Sequence, residues 1–514
     1  MSVKLFTIGD SISQGFMSGA AARTDLAYSS IIANELGIKN YNFPEWPKDG
    51  LPFNLEIIFR RLQKRLGEDI SGIIEWPIAL NIISNYLDEI EDYYERGGGS
   101  LEKAIEPKPF HNLSVRGFDV SNSWQLKPSV CEKIISKSKT NGDNLFGMVN
   151  EALPRTAHKV LASGSPKNKD FSQLDWLNHH HQTEGVENVI LWLGANNALG
   201  TVVDLKIKQT SQDGTAFKNG VDSVPYDKRV DNKWNLWHPE DFRIEYDFMM
   251  DKVVSILENN PHQTDYKVFI STIPLVTVCP LIKSVEKYGR NELTVKEWEV
   301  NPNNPCPMNL SELSDPRVHD LSYGKYYPYF MFEDNFDITL NHLNQQEVYH
   351  IDNFIRKYNR IIQEAVAKAN ERIGKPRFYL VDIATEFNKM ALKRNNYNPI
   401  YEFPEYFENC FPKIDTRYYG VTREGVKKSG GLFSLDGVHP TAIGQGLIAF
   451  EFLKVMKKAG TYTGNPDKLD WKKIFDSDDL YNKPIKLLGE IYDNPNLKKW
   501  IYKRLSNRWE NEKF

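Results

Sequence analysis

The chain has 514 residues, of which 40% are hydrophobic and 26% charged, and its formal net charge is −4. That is ordinary for a globular protein with room for a large core, and it argues against a general nucleic-acid binder. No apolar run is long enough to span a bilayer, and Met1 leads straight into a strand rather than a charged-then-apolar leader, so a cytoplasmic protein is expected.

Short β-branched or aromatic runs alternate with helical periods. The expected strands are Val3–Ile8, roughly Asn112–Val115, Val189–Leu193, Lys267–Ile273 and Phe378–Asp382, each apolar enough for burial on both faces. Thr24 is placed to cap a helix whose Tyr28, Ile31 and Ile32 share a side, with Gly37 at its end. Tyr246, Met249, Val253, Ile256 and Leu257 recur at helical spacing before the fourth strand. A longer repeat runs from Ile351 through Phe354, Ile355, Tyr358, Ile361 and Ile362 to Ala369, and Gly374 and Pro376 stop it before the fifth. A last core helix turns Ile443, Leu447, Phe450 and Leu453 inward and stops at Gly460. This alternation predicts an α/β fold, a three-layer doubly wound parallel sheet with large loop insertions.

Residues 1–460 read as one domain. Its insertions fall near 42–110, 130–185, 201–241, 276–348 and 388–430, and they read as loop elaborations of weak periodicity. Residues 461–514 read as a charged helical extension, in which Leu497, Trp500, Ile501, Leu505 and Trp509 share a face that reads as docked on the domain. Cys131, Cys279, Cys306 and Cys410 are scattered without a C-x-x-C pair, so reduced thiols are expected and no zinc site.

Residues that follow parallel strands gather at the carboxyl edge of such a sheet. Ser11 follows the first strand, Asn196 the third, and His439 the fifth by a long connection. A serine hydroxyl needs a base within reach and a third group that orients the imidazole. His439 suits the base and Asp436 the orienting acid. Asn196 offers a side-chain amide to an oxyanion, Gly117 a backbone N–H unobstructed by a Cβ, and Ser11 its own N–H. Together they point to acyl transfer from an ester, with activity falling at acid pH as His439 protonates.

These segments resemble the blocks of the SGNH (GDSL) hydrolases. Gly9-Asp10-Ser11-Ile12 is similar to the nucleophile block, and Asn112 to Gly117 to the block with the oxyanion glycine. Gly194-Ala195-Asn196-Asn197 is similar to the block with the oxyanion asparagine, and Asp436-Gly437-Val438-His439-Pro440 to the acid–base block. The resemblance implies a flavodoxin-like core and Ser11, Asp436 and His439 as the catalytic triad. It implies Ser11, Gly117 and Asn196 as oxyanion donors, and neither metal nor organic cofactor. The implied reaction is lipase- or esterase-like cleavage of a small-molecule, lipid or glycan ester, with a carbohydrate O-acetylesterase as the alternative and a non-catalytic binding module as the alternative outside enzymes. Two departures stand out: Asn197 replaces the usual aspartate, and the spacing from Ser11 to Gly117 is long, which leaves Gly50 as a rival glycine donor after a short strand near Asn40–Phe43.

Other residues have plainer readings. Asp10 is expected to cap nearby N–H groups. His179-His180-His181 reads as a solvated loop rather than a metal site, and His158 as structural. The rings of Tyr323, Tyr326, Tyr327, Tyr329 and Phe330, and Trp234, Trp237 and His238, suit either a cleft lining or the packing of an insertion.

Overall fold

Largely buried, mostly apolar strands build the central sheet. In the computed structural model, which describes residues 2–67, 75–103, 106–138, 149–164, 170–287, 323–395 and 398–489, these are β1 (Phe6–Gly9), β2 (Asn188–Trp192), β3 (Lys267–Ser271) and β4 (Phe378–Val381). They pair in parallel in the order β1-β2-β3-β4, with Phe6 beside Val189, Val189 beside Val268 and Val268 beside Phe378. Phe6, Ile8, Val189, Ile190, Leu191, Val268, Phe269 and Ile270 have 0% exposure, which is why these runs carry no polar alternation.

The expected strand at Asn112–Val115 is not a regular strand, yet it lies along the free edge of β1. The Thr7 N–H donates to His111 O at 2.8 Å, Leu113 N–H to Thr7 O at 2.9 Å, and Val115 N–H to Gly9 O at 3.2 Å. Counting this segment, the spatial order is second-first-third-fourth-fifth, a common doubly wound order.

Helices connect the strands. α1 (Ser11–Gln14) follows β1 directly, and α2 (Tyr28–Glu35) comes next. α3 (Leu55–Leu66) and α4 (Glu75–Glu95) occupy the first insertion, where the sequence suggested only loop. α3 starts at Asn54, whose side chain accepts from the N–H groups of Glu56 and Ile57. α5 (Gln173–Thr183), α6 (Asn196–Asp204), α7 (Pro239–Glu258), α8 (Gln345–Ile373) and α9 (Ala442–Lys458) complete the set used below. α8 begins in an Asn344–Glu347 capping box and ends at left-handed Gly374, and its repeat from Ile351 to Ala369 is buried. α2 packs with α9, whereas α5 and α8 each pack with α7, an arrangement compatible with a three-layer α/β fold.

Several local expectations are corrected. Thr24 opens a separate 3₁₀ turn (Thr24–Leu26), while α2 starts after Ala27 with no side-chain cap. The Thr24 hydroxyl is engaged instead by the indole N–H of Trp46 at 3.1 Å. Asn40–Phe43 forms no strand. The histidine run lies on α5, not in a loop, and His180 and His181 are buried. His181 bonds to Leu257 O and His180 to Glu184, so two of the three rings serve the packing of α5.

Both aromatic groups pack. Tyr323 donates to Asp352 at 2.9 Å from full burial, and Trp237 donates to Glu245 at 2.9 Å. Residues 461–489 dock on the core through Trp471, Ile474, Phe475 and Leu488. The amphipathic face from Leu497 to Trp509 and Cys306 lie outside the described residues. Cys131, Cys279 and Cys410 are free thiols. Among the described residues no helix is long and apolar enough to cross a membrane, and no cluster of ligating side chains could hold a metal ion.

Candidate active site

The end of β1 sets the site. At Gly9 a Cβ would lie 2.3 Å from Ser13 Oγ and 3.1 Å from Trp192 O, so only glycine lets α1 fold back against the strand. Asp10 caps α1, its Oδ1 accepting from the Ile12 N–H at 3.1 Å. Gly15 closes the turn in the left-handed region at φ 78°. Ser11 is thereby held at the first position of α1, 4% exposed.

The other residues arrive from the far end of the chain. Ser11 Oγ lies 2.9 Å from His439 Nε2, and His439 Nδ1 lies 3.0 Å from Asp436 Oδ2. With Nδ1–H donating to the carboxylate, Nε2 is left to accept the serine proton. Asp436 is itself tied down. Its Oδ1 accepts from the N–H groups of Val438 (2.9 Å) and His439 (2.8 Å), and its Oδ2 accepts from Gly19 N–H at 2.9 Å. Burial pushes this carboxyl up, but His439 and the surrounding N–H donors outweigh it and hold it below the ordinary carboxylate value.

Two segments clamp this constellation. The Ser18 N–H donates to Ser434 Oγ at 2.7 Å, and Leu435 N–H donates to Ser18 Oγ at 3.3 Å. Gln445, on α9, accepts from Tyr28 N–H at 2.9 Å and donates to Ile12 O at 3.0 Å. The Phe16 ring packs on the His439 imidazole, centroids 4.6 Å apart. The insertions support the same loop: Leu281 N–H donates to Gly437 O at 2.9 Å, and Phe330 stacks on Tyr418, whose hydroxyl donates to Leu435 O. Ser18, Gly19, Phe16, Ser434 and Gln445 have no motif of their own in the sequence. Only their short distance along the chain from Ser11 or His439 hints at them.

The oxyanion candidates differ in readiness. Gly117 sits at φ 77° in the turn after the edge segment, and among the described residues its N–H has no acceptor. The Ser11 N–H has none either. Gly50 is different: its N–H donates to Pro47 O at 3.2 Å. Asn196 starts α6 and faces Asp10, but its amide is engaged, donating to Phe118 O at 2.9 Å and to Asp10 Oδ2 at 3.3 Å. To serve an oxyanion it must release one of these, and the longer bond to Asp10 is the weaker. Asn197 is buried and accepts from Val120 N–H at 3.2 Å, which ties α6 to the Gly117 turn.

Asp10 thus bridges Ser11's helix and Asn196. Burial raises its carboxyl to about 7, against the lowering effect of the Ile12 N–H and of His439. A carboxyl raised on folding binds its proton more tightly in the native state, so its ionisation costs stability as pH rises through that interval. The melting temperature of the wild type is therefore expected to fall, relative to that of Asp10→Asn, between about pH 4 and about pH 7. Parallel melting curves for the two proteins would sink this assignment.

Cavities elsewhere have different linings. One, about 830 Å³, lies over α9 against Tyr401, Phe403, Phe450 and Lys454 and includes none of the triad. A second, about 340 Å³, runs beside Ser18 and Ser434 toward Trp46 and Asp478. No model of a known protein family matches the chain, and no curated protein matches it.

Proposed function

We propose that the protein is a serine ester hydrolase of the SGNH type that works through an acyl-enzyme. One observation carries the reading: the continuous hydrogen-bonded chain Ser11 Oγ–His439–Asp436, together with the N–H groups of Ser11 and Gly117, which have no acceptor among the described residues. The doubly wound strand order supports the same family.

In this reading His439 Nε2 takes the Ser11 proton as Oγ attacks the ester carbonyl carbon. The carbonyl π electrons move onto oxygen, and the N–H groups of Ser11 and Gly117 receive the resulting oxyanion. Asn196 joins them by exchanging Asp10 for the oxyanion. The intermediate collapses, the C–O bond to the alcohol breaks, and imidazolium returns the proton to the leaving oxygen. Water, deprotonated by His439, then releases the acid and restores Ser11. Asp436 stays ionised throughout, stabilises the imidazolium and fixes its orientation.

A fluorophosphonate probe is expected to label the folded protein at Ser11, together with turnover of short p-nitrophenyl esters. Folded protein that neither labels nor turns over such esters would favour a binding module on this scaffold.

A further inference from the structure

We propose that Arg116 forms an anion subsite beside Ser11, so that the ester cleaved carries a carboxylate close to the scissile bond. This rests on the hydrolase reading above and specifies its substrate class.

Arg116 immediately precedes Gly117, and its guanidinium carbon lies 5.6 Å from the centroid of the Phe16 ring. The same ring packs on His439, so this cation and the base share one phenyl neighbour. Arg116 Nε is sealed from solvent and has no hydrogen-bond partner. So is Gln14 Nε2, while Gln14 Oε1 accepts from the Arg116 N–H at 3.0 Å. Two orphaned donors therefore sit on neighbouring side chains next to the oxyanion turn.

The acids of the site do not answer this cation. Asp436 is bound to His439 and Gly19, Asp10 to Ile12 and Asn196, and Asp119 to Ser121 and Asn122. Burial alone pulls the guanidinium down, to about 10, so it remains charged at neutral pH. A buried, unpaired charge with an unsatisfied N–H is costly, and native proteins rarely keep one without a use. Arg116 is mostly but not fully buried, and of its guanidinium nitrogens only Nε is both sealed from solvent and unpartnered, which leaves the terminal pair on the solvent side for a ligand. A neutral acyl chain would leave these donors unanswered. A carboxylate can take two guanidinium N–H groups side by side.

The anion can belong to the acyl part or to the alcohol part of the ester, and matched pairs separate the two. The first pair is mono-p-nitrophenyl adipate against p-nitrophenyl hexanoate. The second is 4-acetoxybenzoate against its methyl ester. In the wild type, kcat/KM is expected to favour the anionic member of one pair by about tenfold or more. That ratio is expected to drop by a similar factor in Arg116→Met and to recover in part in Arg116→Lys. A residue that only shapes the loop would change both members of a pair alike and leave the ratio unmoved.

The subsite is overturned if Ser11 is labelled and the neutral esters are cleaved, yet neither pair favours its anionic member. It is equally overturned if Arg116→Met keeps the wild-type ratio. Should that variant not fold, the wild-type ratios decide alone. Absence of both labelling and turnover would overturn the hydrolase reading instead, and the subsite with it.

Discussion

Replacing Ser11 with alanine is expected to lower kcat/KM on a short p-nitrophenyl ester by about 10⁴-fold or more and to abolish fluorophosphonate labelling. The size of the loss follows from the geometry. Ser11 Oγ is the atom 2.9 Å from His439 Nε2, and among the described residues no other hydroxyl has that contact. Ser13, two residues on, points the other way and bonds to the Tyr28 hydroxyl at 2.8 Å. The residual rate should be that of water activated by His439 beside the intact N–H donors. Alanine fits α1 and removes only the hydroxyl, so the melting temperature should hardly change. Near-wild-type turnover by folded Ser11→Ala would end the nucleophile assignment.

Asp436→Asn should be nearly as severe, at about 10³- to 10⁴-fold in kcat with KM little altered. The asparagine oxygen can keep the Val438 and His439 N–H groups, but its amide nitrogen then faces Gly19 N–H and His439 Nδ1. Donor meets donor at Gly19, and His439 is driven to the tautomer that presents N–H to Ser11. An imidazole in that form cannot accept the serine proton. Unlike Ser11→Ala, this change should also cost stability, about 1–3 kcal/mol for the stranded Gly19 N–H. It should be felt most above the ordinary carboxylate range, because a carboxyl held low on folding stabilises the native state there and loses that contribution as pH falls. Unchanged kcat in a folded Asp436→Asn protein would show that His439 needs no orienting acid.

The parts legible in the sequence were those in which one residue type has one physical use. Buried parallel strands are apolar throughout, so β2 at Asn188–Trp192 and β3 at Lys267–Ser271 could be read within a residue or two. Ser11, Asp436 and His439 could be brought to one sheet edge because strand order and direction carry them there. What escaped was of another kind. α3 does carry a helical stripe, with Ile58 and Leu62 buried and Leu55, Phe59 and Leu66 packed against the core, but it stands alone within an insertion that otherwise reads as loop. His179–His181 looked polar, yet an α-helix turns neighbours through about 100° and sent two of the three inward. The engagement of Asn196 by Asp10 and Phe118, the shield of Phe16 and the clamp of Ser18 on Ser434 are contacts between distant segments. They depend on how loops meet, and periodicity carries no record of that.

The clamp also bears on how the site is assembled. Ser18 to Ser434, Gly19 to Asp436 and Ile12 to Gln445 join residues separated by 416, 417 and 433 positions. Closing so long a loop is cheap at equilibrium, since each doubling of length adds only about 0.6 kcal/mol. It is late in time, because contacts of such high order form after local ones. In the proposed hydrolase a growing chain therefore holds the Ser11 hydroxyl without its base until the segment at 434–445 has been made. The base and orienting acid of the proposed hydrolase reach Ser11 only when the segment at 434–445 docks on the first thirty residues, so a chain that stops short of that segment holds no triad.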